Sequence, residues 1–178
     1  MLAAVALGAN LGDRLGTLRG AVLALGRIGE LAAVSPLFET DPVGPEQPDY
    51  LNAAVLLRYE GSPRQLLEAV LDIERSFGRE RRERWGPRTL DLDILWIDGV
   101  MVADPDLTIP HARLPERRFA LEPLLAIAPD AAHPVSGEPY RGCVDRLPTG
   151  GIRRIADADW AGAVQVDGKA SETTRSAV

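Results

Sequence analysis

Two aspartates one residue apart, Asp91 and Asp93, lie in the run Leu90-Asp91-Leu92-Asp93-Ile94-Leu95. The run alternates apolar and acidic side chains. As a β-strand it turns Leu90, Leu92 and Ile94 to one face and both carboxylates to the other. Two neighbouring anions repel and ask for a cation. Carboxylate oxygens suit Mg²⁺, which takes one or two of them and leaves positions for water and substrate phosphates. Just upstream, residues 79–88 carry Arg79, Arg81, Arg82, Arg84 and Arg88 against Glu80 and Glu83, a local net charge of +3. Guanidinium groups hold phosphate oxygens in bidentate pairs. An acidic pair beside such a loop suits polyphosphate transfer, where a metal bridges phosphate oxygens. A bare Asp-x-Asp is more often a solvated edge-strand motif. The adjoining arginines and the Trp85-Gly86-Pro87 turn tip the reading to a site. His111 stands behind Pro110 and ahead of Arg113 and Arg117; on its own a lone histidine is more often a structural hydrogen bonder than a catalyst.

The elements that must position these residues can be read in order. Residues 2–7 are apolar on both faces and predict a central strand. The stretch from Gly8 to Asp13 breaks it and can cap a helix carrying Leu15, Leu18, Val22 and Leu25 at helical spacing. A second strand is expected over Leu31 to Glu39. Thr40 to Asp49 contains Pro42, Pro45 and Pro48 and reads as a stiff loop. A strand from Tyr50 to Tyr59 puts Tyr50 and Asn52 on one face. Ser62-Pro63-Arg64-Gln65 is a capping box with Pro at the first helical position. The helix it opens has Leu66, Val70, Ile73 and Phe77 as its core stripe and Gly78 at its end. Glu74 flanks that stripe and reads most simply as a surface acid near the helix end, paired with Arg79. The acidic strand covers 89–97, Asp98-Gly99 turns, and Val100 to Val102 is expected to return as a short strand. A last helix runs from Arg117 to Ala128, restarted or kinked at Pro123. The order β-α-β-β-α-β with a C-terminal helix predicts an α+β fold: a ferredoxin-like α/β sandwich with a mostly antiparallel sheet.

Composition bounds the rest. The chain has 178 residues, enough for one domain with a sizeable core. Its net charge of −6 argues against nucleic acid or an anionic membrane as a general partner. Positive charge is gathered in one loop, which favours a small anionic ligand. Cys143 is the single cysteine, so no intramolecular disulfide forms, and no Cys/His cluster suggests zinc. Met1 to Leu7 is short, lacks basic residues and reads as a buried strand rather than a signal peptide. A cytoplasmic, reducing setting and a monomer are expected. Residues 149–178 offer few apolar side chains and read as a flexible extension of a domain spanning 1–148.

Arg84-Trp85-Gly86-Pro87-Arg88-Thr89-Leu90-Asp91-Leu92-Asp93-Ile94-Leu95 resembles the signature of the 6-hydroxymethyl-7,8-dihydropterin pyrophosphokinases, enzymes of folate synthesis. Gly8-Ala9-Asn10, Pro42-Val43-Gly44-Pro45 with Gln47 to Ala53, and Pro110-His111 through Phe119 extend the resemblance over about residues 1–145. Two positions depart from the family's pattern: Ala9 stands where it usually has Ser, and Ala112 where it often has an aromatic. The resemblance implies Mg²⁺-dependent transfer of diphosphate from ATP to the hydroxyl of hydroxymethyl-dihydropterin, with AMP released. It implies two Mg²⁺ on Asp91 and Asp93, and catalytic roles for those two with Arg79 and Arg88. Glu74, Arg81, Arg84, Arg88, Ile94, His111 and Arg117 would contact the nucleotide. Thr40, Pro42, Val43, Tyr50, Asn52, Trp85 and Phe119 would contact the pterin. The loop 79–88, without an apolar anchor between Arg79 and Arg84, would order when both substrates bind. Two other classes meet the same residues. A glycosyltransferase with Asp-x-Asp would need a larger nucleotide domain with a Gly-rich first turn, which is absent here. An RRM-type RNA-binding sheet would show an aromatic run and a basic surface.

Overall fold

The computed structural model describes residues 1–42, 47–78 and 88–162. Strand β1 (Leu2–Ala9) lies inside the main sheet. It pairs antiparallel with β4 (Tyr50–Arg58) on one side and with β5 (Asp91–Ile97), an edge strand, on the other. Burial on both faces explains the unbroken apolar reading of β1. Gly8 stays within the strand, so the chain turns at Asn10, later than expected.

Two helices cover one face. Helix α1 (Arg14–Ile28) is capped by Asp13, whose carboxylate accepts from the Gly16 amide at 2.9 Å. Helix α2 (Pro63–Ser76) opens on the expected capping box, with Ser62 and Gln65 satisfying each other's backbone amides. Gly78, with φ of +75°, ends it. Leu18, Val22 and Leu25 of α1 and Leu66, Val70 and Ile73 of α2 pack on Val5, Leu7, Val55, Leu57, Leu92 and Ile94.

The other face is covered only in part. Helices α3 (Arg118–Ile127) and α4 (Arg141–Arg146) bury Leu121, Leu124 and Cys143 against Ala4, Leu56, Leu95 and Trp96. Pro123 remains inside α3 rather than dividing it. A register shift between β1 and β5 lets Leu95 and Trp96, consecutive residues, both join this second core. Beyond α3 the same face is left open at Ala6, Gly8, Asn52, Asp91 and Asp93.

Three expectations need correction. The strand expected over Leu31 to Glu39 is two, β2 (Glu30–Val34) and β3 (Leu37–Thr40), end to end along one edge of β4. Ser35-Pro36 breaks it, and the Ser35 hydroxyl accepts from the Ala54 amide at 2.9 Å, filling the gap in the ladder. The residues after the Asp98-Gly99 turn do not return along β5. β6 (Val102–Asp104) pairs with β7 (Leu107–Ile109) in a separate hairpin, pinned by Arg64 to Asp104 and Asp106.

The third correction concerns the C-terminal extension. Residues 152–156 form β8 (Ile152–Ala156), which pairs with β3 and completes the six-stranded sheet in the order β5-β1-β4-β3-β8, with β2 alongside β4. A 3₁₀ turn over Ala158–Ala161 then buries Trp160. The indole donates to the Ser35 carbonyl at 2.8 Å, and Arg19 donates to the Trp160 carbonyl at 2.7 Å. Few apolar residues were enough because one was a tryptophan with a buried acceptor waiting for its N–H. The domain boundary at 148 therefore falls inside the fold. Residues 163–178 lie outside the described residues.

Candidate active site

The open part of the second face is a cavity of about 520 Å³. Its floor is the sheet, with β1 in the middle and β4 and β5 on its two sides. Gly8 pairs with Asn52 in one register and with Asp91 in the other. The absent side chain makes the floor deep. A Cβ built on Gly8 would come within 3.2 Å of the Asn52 side-chain oxygen.

Asp91 and Asp93 line one side, on the opposite face of β5 from Leu92 and Ile94, as alternation requires. Arg88 forms an ion pair with Asp91. Asp93 makes no hydrogen bond or ion pair among the described residues. Its carboxyl is pushed up by burial and by the charge of Asp91, against the pull of His111, Arg117 and Arg88. Two carboxylates in a half-buried corner, one of them resisting ionisation, form a donor set that a divalent cation fits: the ion supplies the charge the site lacks.

His111 follows the cis Ile109–Pro110 peptide, and its amide donates to the Leu95 carbonyl at 2.8 Å. Its Nδ1 accepts from the Arg113 amide at 3.1 Å. A neutral ring with Nδ1 accepting carries its proton on Nε2, which makes that nitrogen a donor. Burial lowers the His111 pKa against the pull of Asp93, which favours the neutral ring. Arg113 and Arg117 line the same wall. The Arg117 guanidinium sits 5.7 Å from the centre of the Phe119 ring.

The far side is amide and hydroxyl. Asn52 donates to the Thr40 hydroxyl at 2.7 Å, which fixes the amide and leaves its oxygen to accept. Tyr50 stands beside it; burial raises its pKa and keeps it a phenol. Buried Asn10 ties the two approaches together. It donates to Gln47 and to the Pro48 carbonyl, and accepts from the Arg88 amide at 2.8 Å.

Of the residues expected in a site, Thr40, Tyr50, Asn52, Arg88, Asp91, Asp93, His111, Arg117 and Phe119 line this one cavity. Three expectations are corrected or left aside. Pro42 is near but does not line it. Ile94 is buried in the core against the helices. Glu74 is no surface acid: its side chain is buried and accepts from the Leu92 amide at 2.7 Å, on the free edge of β5. Val43, Arg79, Arg81, Arg84 and Trp85 lie outside the described residues. Gly8, Asn10, Asp41 and Arg113 were not singled out as site residues from sequence. Gly8 and Asn10 sat in a recognised motif, but only the pairing of β1 with both neighbours puts Gly8 on the cavity floor, and Asn10, just past the strand, is placed by its bonds to Gln47, Pro48 and Arg88.

The sequence profile of the family described as 7,8-dihydro-6-hydroxymethylpterin-pyrophosphokinase (HPPK) matches residues 4–129. The chain belongs to this family. It is 44% identical over 138 residues to a 2-amino-4-hydroxy-6-hydroxymethyldihydropteridine pyrophosphokinase of Synechocystis, covering 76% of this chain and 71% of that one. It is 45% identical over 129 residues to the Bacillus subtilis enzyme of the same name, covering 71% and 77%. With the Pseudomonas aeruginosa HPPK it is 41% identical over 157 residues, 86% of this chain and 96% of that one. An alignment of that span must reach into the segment after residue 149. Among solved structures, the wild-type HPPK-DHPS of Plasmodium falciparum with STZ-DHP superposes with a TM-score of 0.64 at 16% identity. That likeness speaks to the HPPK fold, the ferredoxin-like α/β sandwich. It covers 81% of this chain and 42% of the larger one. No helix among the described residues is long and apolar enough to cross a membrane.

Proposed function

We propose that this chain transfers the β,γ-diphosphate of ATP to the hydroxymethyl group of 6-hydroxymethyl-7,8-dihydropterin, releasing AMP, in folate biosynthesis. The observation that carries the reading is the meeting of Asp91 and Asp93 with a basic wall and a fixed amide around one cavity. Family membership supports the same reaction.

The roles follow from the chemistry of each side. Two Mg²⁺ on Asp91 and Asp93 would neutralise phosphate charge and lower the pKa of the attacking alcohol. Arg88, Arg117 and the Nε2–H of His111 hold phosphate oxygens, and Arg113 adds charge at the rim. Arg79, Arg81 and Arg84 are assigned to the triphosphate by motif. Asn52 accepts from a ring N–H or amino group of the pterin, with Thr40 holding its amide in place. Tyr50 and Phe119 give flat apolar walls to a flat heterocycle, and Trp85, Pro42 and Val43 are assigned to the same substrate. Glu74 supports β5 from its edge, and its nucleotide contact is assigned by motif alone. The protein does little covalent work; position and electrostatics carry the rate. A monomer in the cytoplasm is the working assignment, supported for the compartment by a lone buried thiol, Cys143.

The test is an assay with MgATP and the hydroxymethyl-dihydropterin. Pterin-dependent AMP release that stops on removal of Mg²⁺ is expected. ADP release, or AMP release without pterin, contradicts the proposal.

A further inference from the structure

The segment after residue 149 is more than a late sheet strand. β8 pairs with β3 over Leu37–Thr40, the strand that delivers Thr40 and Asp41 to the cavity. The Asp41 amide donates to the Gly151 carbonyl at 3.1 Å, just where the chain leaves the sheet for the proline-rich loop. The other end of that loop is held too. Arg14 of α1 donates to the Asp49 carbonyl at 2.7 Å, next to Tyr50. Arg14 is braced by Glu39 at 3.2 Å, and Glu39 also pairs with Arg153 of β8. Arg153 first and Arg14 next hold the Glu39 carboxyl below the usual range. Trp160, buried beneath Ser35 and latched by Arg19, anchors the far end of the segment.

We propose that residues 150–161 are a positioning element for the pterin side of the site, holding both ends of the 41–49 loop through Gly151 and through the Arg153–Glu39–Arg14 chain, with Trp160 as its anchor. The inference rests on the pterin assignment made above. Ends held in advance leave less entropy to lose when a ligand settles beside them. None of these contacts is made to β5 or the His111 turn; the loop meets the nucleotide side through Asn10, which joins Gln47 and Pro48 to the Arg88 amide. The segment therefore acts on the pterin more than on the nucleotide. Arg14 and Trp160 act through the loop and touch no substrate.

Two full-length variants test this, Arg14→Ala and Trp160→Ala, each with separate binding measurements for the pterin and for a non-hydrolysable MgATP analogue. Pterin affinity is expected to fall about tenfold, the scale of re-ordering a few loop groups. Affinity for the analogue, and kcat at saturating pterin, are expected to stay within about twofold. Arg14→Lys, which can still reach a carbonyl and a carboxylate, is expected to recover part of the loss. Hydrogen exchange at the Asp41 amide is expected to speed up in Trp160→Ala without any ligand. Unchanged pterin affinity in Arg14→Ala overturns the proposal, and that variant decides the matter if Trp160→Ala fails to fold. Parallel loss of both ligands overturns it as well, since that is a merely structural effect. An Asp41 amide still protected in Trp160→Ala refutes the anchoring role. Wild-type protein that binds no pterin sinks the proposed function and this inference together; normal wild-type binding with normal variants sinks this inference alone.

Discussion

The Glu74 carboxylate accepts a hydrogen bond from the Leu92 amide at 2.7 Å, from a position buried between α2 and the edge of the sheet. Leu92 stands between Asp91 and Asp93. Among the described residues β5 is an edge strand, so an amide on its outer side has no ladder partner there, and Glu74 supplies an acceptor. The helix thereby fixes the strand that carries both acids. Glu74→Ala strands a buried donor and is expected to cost about 1–3 kcal/mol of stability. Glu74→Gln keeps an acceptor and is expected to recover part of that. Urea unfolding of the three proteins measures it; an alanine variant as stable as the parent would remove Glu74 from this role.

Asp93→Asn separates catalysis from folding. In the ligand-free protein the Asp93 carboxyl is raised by burial and by Asp91, so ionising it works against the fold. That contribution to stability is complete below the unfolded carboxylate range, near about pH 4, and is lost as pH rises through the raised folded value. The amide variant should match or exceed the parent in melting temperature at pH 7, while turnover falls on the order of 10²–10³ or more. Mg²⁺ with the ATP analogue should raise the parent's melting temperature more at pH 7 than at pH 4. A clear loss of apo stability in Asp93→Asn would contradict the electrostatics described here.

Gly8→Ala tests the floor of the cavity. Its Cβ would crowd the Asn52 oxygen at 3.2 Å. The amide must shift by a few tenths of an ångström, away from the position that meets the pterin. KM for the pterin is expected to rise about tenfold, with KM for ATP little changed, because a buried polar contact is misaligned on one substrate only. Equal effects on the two substrates would mean that Asn52 does not serve the pterin.

How much of this could be read from sequence follows from the range of the forces involved. The face shared by Asp91 and Asp93 was legible because strand alternation is local. So were the Ser62–Gln65 capping box and the stripe of α2. The break at Ser35-Pro36 was not, because a proline in an apolar run can be an edge residue as easily as an end; the Ala54 backbone decides it. Glu74 read as a surface acid because its partner is an amide 18 residues away in sequence. Trp160 read as part of a loose tail because its acceptor, Ser35, lies 125 residues earlier. Gly8 and Asn10 belonged to a motif whose purpose appears only when β4 and β5 flank β1. Long-range partners, not local propensity, account for each miss.

In the proposed reaction a diphosphate unit moves intact. ATP labelled separately at the α, β and γ phosphorus, given with Mg²⁺ and hydroxymethyl-dihydropterin, tests it directly. The β and γ labels should both appear on the pterin, in equal amounts, and the α label should remain on AMP. Transfer of the γ label alone, with ADP as the other product, would contradict diphosphate transfer.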